Sequence, residues 1–224
     1  MNNASQPAGS ELRSTYHHGD LRSALVAAGL ALAREGGPQA VVLREVTRRA
    51  GVAPNAAYRH FANREALYEA VRTAAVAALS QSIEAHMEAA KSLGDPQERA
   101  RALLAAVGRG YLDFAQAETG WFRTAFAFAS GEQESAAPST NPPESDVPAL
   151  EPGVSPFALL GYALDAMAEA GVLPLARRPM AEYLAWSAVH GMAILIIDGP
   201  LRKATPEERT ALSQRLLQMV ETGI

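Results

Sequence analysis

The stretch VLREVTRRAGVAPNAAYRHF, residues 42–61, limits what this chain can fold into more than any other part of it. Leu43, Val46 and Ala50 recur at i, i+3 and i+7, which makes one apolar face of a short helix. Gly51 stops that helix where a sharp turn needs a residue tolerant of positive φ. Pro54 restarts a helix at its first position, where a missing N–H costs nothing. In the second helix Ala57 and Phe61, four residues apart, share an inward face. Asn55 and Arg59 point almost opposite to Ala57, with Ala56 and Tyr58 on the flanks. Two short helices, a tight turn and an outward amide and guanidinium on the second helix follow the logic of a helix-turn-helix.

Charge tells the two ends of the chain apart. The net charge of −4 argues against a nucleic-acid partner when taken alone. Its distribution reverses that argument: residues 1–72 carry nine Arg against six acids, while residues 73–224 carry eleven Lys or Arg against eighteen acids. A basic head on an acidic body is the electrostatic footprint of a protein that binds DNA with one end. There is no cysteine, so neither a disulfide framework nor thiolate chemistry is available, as suits a reducing cytoplasm. The expectation is a cytoplasmic protein with no membrane partner, since no basic-apolar leader pattern and no apolar run long enough to cross a bilayer appears. Catalytic signatures such as G-x-S-x-G, H-E-x-x-H or a phosphate-binding glycine loop are missing, so no enzymatic activity and no cofactor are expected. The His17-His18 pair lacks a third ligand at metal-binding spacing, and no metal is expected either.

Taken in order, the chain reads as helices separated by well-marked stops. Residues 1–19 form a polar arm whose Arg13, His17 and His18 lie just before the first helix, which Asp20 is placed to cap. Leu21, Ala24/Leu25, Ala28 and Leu32 make its stripe, and Gly36-Gly37-Pro38 ends it. Asn63 is a suitable cap for a long Ala-rich helix from about Arg64 to Lys91, with Leu67, Val71, Ala74/Ala75, Ala78 and Ile83 facing inward. At 1.5 Å per residue it would span roughly 40 Å. Asp95-Pro96-Gln97-Glu98 and Thr205-Pro206-Glu207-Glu208 both have the pattern of a capping box. Between them lie a helix with Leu103/Leu104, Val107, Tyr111 and Phe114 on its face, then the aromatic-rich WFRTAFAFA of residues 121–129. Residues 130–155 hold five prolines and several acids with few bulky apolar side chains. That composition makes a solvated linker or a lid over a site. Helical pattern returns with Phe157, Leu160, Leu164 and Met167/Ala168. From about residue 179 to Ile197 a helix is apolar on most of its surface. Tyr183, Trp186, His190 and Ile194/Ile197 fall on one side of it, and Leu184, Ala188, Gly191 and Leu195 on another. One side can serve the subunit's own core and the other a partner. A last helix carries Leu212, Leu216 and Met219/Val220.

Residues 20–72 resemble the DNA-binding domain of the tetracycline-repressor (TetR) family, most densely over AGVAPNAAYRHFANREALYEAV at 50–71. Tyr58-Arg59-His60-Phe61 is similar to the run that ends the family's recognition helix, and Asn63–Leu67 to the start of its next helix. Val42 and Ala53 depart from the pattern, standing where the family usually has a hydroxyl N-cap. The Trp186-x-x-x-His190-Gly191 run resembles a Trp-His-Gly signature of one TetR subgroup. The resemblance implies an all-α protein: a three-helix DNA-binding head at 20–72, joined by the long helix to a ligand-binding and dimerisation domain at 73–224. It implies a homodimer, built here from residues 179–197 and 206–221, on a palindromic double-stranded operator, and a small-molecule effector that releases a repressor. Arg44, Asn55, Ala56, Tyr58, Arg59, His60 and Arg64 form the expected DNA-facing set. Asn55 and Arg59 are suited to base edges, and Arg44, Tyr58, His60 and Arg64 to phosphates. Each aromatic of the body reads alone as core. As a group, Tyr111, Trp121, Phe122, Phe126, Phe157, Tyr162, Trp186 and His190 sit in the helices that surround a cavity in the family, so they are the expected ligand-binding set. Two rivals stay open: a constitutive DNA-binding regulator without an effector, and an all-α enzyme or hydrophobic-ligand carrier that uses the helix-turn-helix as scaffold.

Overall fold

A computed structural model of the chain describes residues 18–127 and 154–224. Arg13, His17, Phe128 and most of the Pro-rich segment lie outside the described residues. Among the described residues every regular element is a helix: α1 (His18–Gly36), α2 (Leu43–Arg49), α3 (Pro54–Ala57), α4 (Arg64–Lys91), α5 (Pro96–Ala117), α6 (Thr119–Phe126), α7 (Pro156–Glu169), α8 (Ala181–Ile197) and α9 (Pro206–Gly223), with three short 3-10 turns. No helix among them is long and apolar enough to cross a membrane.

The helix ends follow from local chemistry. Asn63 Oδ1 accepts the Ala66 N–H at 2.8 Å, which fixes the start of α4 at the expected residue. Asp95 accepts from the Glu98 N–H at the start of α5, and Ser155 from the Ala158 N–H at the start of α7. At α9 both halves of the box form, Thr205 Oγ1 accepting from the Glu208 N–H while Glu208 accepts from the Thr205 N–H. Gly51 sits at φ +71, the left-handed conformation that the turn between α2 and α3 requires. Asp20 is not the cap of α1, because the helix already begins at His18.

Two hydrophobic cores share one helix. Leu25 and Ala28 of α1, Val46 of α2, Ala57 and Phe61 close the head core against Leu67 and Val71 of α4. Eight residues on from Val71, the same face of α4 supplies Leu79, Ile83, Met87 and Ala90 to the body core, which residues of α5, α6, α7 and α8 complete. Full burial of each such Leu, Ile or Met is worth about 1.5–3 kcal/mol, so α4 is held firmly at both ends. On α7 the inward arc runs through Pro156, Leu159/Leu160, Ala163/Leu164 and Met167. Phe157, expected on that stripe, falls at its edge and is 38% exposed.

α6 is wedged between head and body. A Cβ on Gly120 would fall within contact distance of the Ala33 carbonyl oxygen and 2.5 Å from that of Arg34, so only glycine lets α6 lie this close to the end of α1. Gly120→Ala is expected to overpack this junction and cost about 1–3 kcal/mol of stability. Urea denaturation checks it: an unchanged midpoint would mean that α1 and α6 are not held at this distance.

Candidate DNA interface and ligand pocket

The recognition element is shorter than its sequence pattern suggests. Regular α-helix covers Pro54–Ala57 only. The chain then tightens, with Arg59 N–H bonding to Ala56 O at 3.3 Å and His60 N–H to Ala57 O at 2.9 Å. Ala57 and Phe61 are buried, as their spacing requires. Asn55, Tyr58 and Arg59 are exposed, and Ala56 and His60 are half-buried. Neither Val42 nor Ala53 supplies a side-chain cap.

Most arginines of the head are already engaged. Arg48 pairs with Glu45 at 2.8 Å, Arg49 with Glu35 and Arg72 with Glu69 at 2.5 Å, and Arg34 with Glu118. Arg22 stacks 5.1 Å above the Phe61 ring. Arg64 meets its neighbour Glu65 at 3.0 Å, a fully exposed pair of small worth. Among the described residues Arg44 and Arg59 form no ion pair, and both are exposed. Intramolecular pairing thus leaves its positive charge open on α2 and on the recognition element.

The second site is a pocket of about 460 Å³, its open mouth included, between α4, α5, α7, α8 and α9. Ile83, Val107, Leu160, Val189 and Leu217 make most of its wall, and of the expected ligand set only Tyr111 and Trp186 line it. Phe122, Phe126 and His190 pack behind these two as one aromatic cluster. Tyr111 meets Trp186 at 5.2 Å and Phe122 at 5.5 Å between ring centroids, both edge-on, and Phe126 meets His190 at 5.0 Å. Its one internal polar contact joins the Tyr111 hydroxyl to His190 Nδ1 at 2.7 Å. Burial pushes the Tyr111 phenol well above its ordinary pKa and lowers that of His190, so both favour their neutral forms.

Three expected pocket residues lie elsewhere. Tyr162 is 54% exposed on α7. Phe157 does not line the pocket and meets only the rim of the cluster, its ring 5.4 Å from Tyr183 and 5.9 Å from Trp186. Trp121 is the clearest departure: its Nε1–H donates to Leu30 O of α1 at 2.7 Å, with Arg34 stacked 5.4 Å from its ring. It fastens the body to the head. The aliphatic liners were legible only as helix stripes, because a side chain facing a cavity and one facing a neighbour have the same periodicity. On the far side of α6, Arg123 pairs with Asp198 just past the end of α8, and this bond holds the Asp198 carboxyl below its usual range.

Residues 25–71 match the family model described as bacterial regulatory proteins, tetR family. Residues 104–220, more than half of the chain, match that of the tetracyclin repressor-like C-terminal domain. The chain belongs to the TetR family. It is therefore a DNA-binding transcriptional regulator with a helix-turn-helix and a C-terminal ligand-binding domain, in a family whose members are dimeric. A protein of unknown function from Rhodococcus sp. RHA1 is 26% identical, with a TM-score of 0.66 over 92% of this chain and 98% of that one. FadR from Bacillus subtilis, in complex with stearoyl-CoA, shares the fold at 14% identity and a TM-score of 0.53, covering 90% and 98% of the two chains. RolR, in complex with resorcinol, does so at 13% identity and a TM-score of 0.56, covering 92% and 95%. No curated protein matches this TetR-family chain in sequence.

Proposed function

We propose that the protein is a homodimeric repressor that grips a palindromic operator with paired heads and releases it when a small, mostly hydrophobic ligand enters the pocket. The observation that carries this reading is the continuity of α4, which starts at Asn63 beside the recognition element and contributes Ile83 to the pocket wall. Helix α4 is the rigid element able to couple the two sites. A ligand that fits better when it is tilted lowers operator affinity by the same factor, by linkage. The stearoyl chain of the FadR ligand and the neutral resorcinol of RolR support a largely apolar occupant in this fold.

In this reading Asn55 and Arg59 meet base edges, Ala56 lies beside them, and Arg44, Tyr58, His60 and Arg64 position the head on phosphates. Two heads are needed, because one reads too few bases for a specific site, and the half-sites would lie about one helical turn or a multiple apart. The second protomer has a place to dock. Leu184 and Met219 are 59% and 57% exposed on α8 and α9, Leu195 of α8 is exposed as well, and nothing lies within 4 Å of where a Gly191 Cβ would stand.

Arg59→Ala and Asn55→Ala are each expected to cost about 1–3 kcal/mol of operator binding. Arg64→Ala should weaken binding to all DNA sequences alike and flatten the salt dependence. Fluorescence-anisotropy titrations decide the point: unchanged affinity and base preference in Arg59→Ala would remove it from the readout. A Cβ at position 191 meets nothing within 4 Å in its own protomer, so Gly191→Leu is aimed at the partner's helix rather than at the protomer's own core. Sedimentation should find the wild type dimeric at micromolar concentration and the variant shifted towards monomer. A monomeric wild type would sink the dimer.

A further inference from the structure

We infer that the pocket selects an uncharged ligand: a lipophilic molecule whose polar groups are limited to hydroxyl, carbonyl or amide functions. This inference rests on the pocket being the effector site. Among the described residues that line it, none is ionisable except Tyr111, and the remainder is hydrocarbon, glycine and the indole of Trp186. The aromatic cluster behind the wall contributes no fixed charge. Its internal polar contact, Tyr111 hydroxyl to His190 Nδ1, joins two groups that burial holds neutral. An ionised carboxylate, phosphate or ammonium entering here would shed its hydration and meet no countercharge, a penalty of several kcal/mol.

The Tyr111–His190 pair also fits the ligand's polar group. With one imidazole tautomer the phenol donates to Nδ1 and keeps oxygen lone pairs for a ligand donor. With the other, Nδ1–H donates to the phenol oxygen and the hydroxyl proton is free for a ligand acceptor. A neutral hydroxyl or amide can be met either way, and a charge cannot be compensated by either.

The test uses three probes of one chain length, 1-decanol, decanamide and decanoate, titrated calorimetrically at pH 7.5 into the full-length protein and two variants. Decanol and decanamide should bind at least about tenfold more tightly than decanoate. Ala185→Leu, which adds bulk to the pocket wall, should abolish their binding. Tyr111→Phe keeps the ring and should weaken them about three- to tenfold, as the loss of one hydrogen bond does. Decanoate binding as tightly as decanamide, and lost in Ala185→Leu, would overturn the inference while leaving the pocket a ligand site. Binding of none of the three, or binding that neither variant changes, would remove the pocket reading and the inference with it.

Discussion

The structure depends on one apolar stripe. Leu67, Val71, Ala75, Leu79, Ile83 and Met87 follow one another at four-residue spacing along α4 and are all essentially inaccessible to solvent. The first two belong to the head core and the last three to the body core. A helix packed at both ends moves as a unit, because changing its tilt must repack one core or the other, and close-packed interiors resist small deformations. The head is therefore not a bead on a flexible tether. Its orientation is tied to whatever determines the packing around Ile83, which is also a wall of the pocket.

Helix α6 provides a second path between the same two regions. On one side it meets α1 through Gly120 and the Trp121 indole, with the Arg34–Glu118 pair alongside. Between these contacts and the Arg123 contact to Asp198, Phe122 and Phe126 reach the cluster that backs the pocket. A shift of Tyr111 or Trp186 thus presses on a helix that is locked to the head. Two rigid connections make it hard to alter the pocket without altering the relation of the head to the body. That is the physical requirement for an effector to act on DNA binding.

Local chemistry made much of this legible in the sequence. The bounds of α4, the Asn63 and Thr205 caps, the positive φ of Gly51 and the inward Ala57 and Phe61 each follow from one or two residues and their spacing. What was not legible depends on tertiary placement. Trp121 looks like any other aromatic of a ligand cavity until α1 is seen to present the Leu30 carbonyl to it. Phe157 and Tyr162 lie on an apolar helix, and only the packing of α7 decides which arc of that helix is covered. The recognition element keeps its outward Asn55 and Arg59 but loses regular helix after Ala57, where Arg59 and His60 bond at i−3 before Phe61 returns to an i−4 bond with Ala57. Glu45, Glu35 and Glu69 take up three arginines of the head, so the open charge on Arg44 and Arg59 emerges only from the pairing.

The central claim is that the pocket and the DNA-binding head are energetically coupled through these helices. The most direct measurement takes a compound found in the pocket by native mass spectrometry and titrates it into the complex of the protein with an operator selected from random DNA. The account predicts a fall in operator affinity of about 5- to 150-fold, corresponding to a coupling of roughly 1–3 kcal/mol. A compound that stabilises the protein by occupying the pocket and leaves operator affinity unchanged would contradict it.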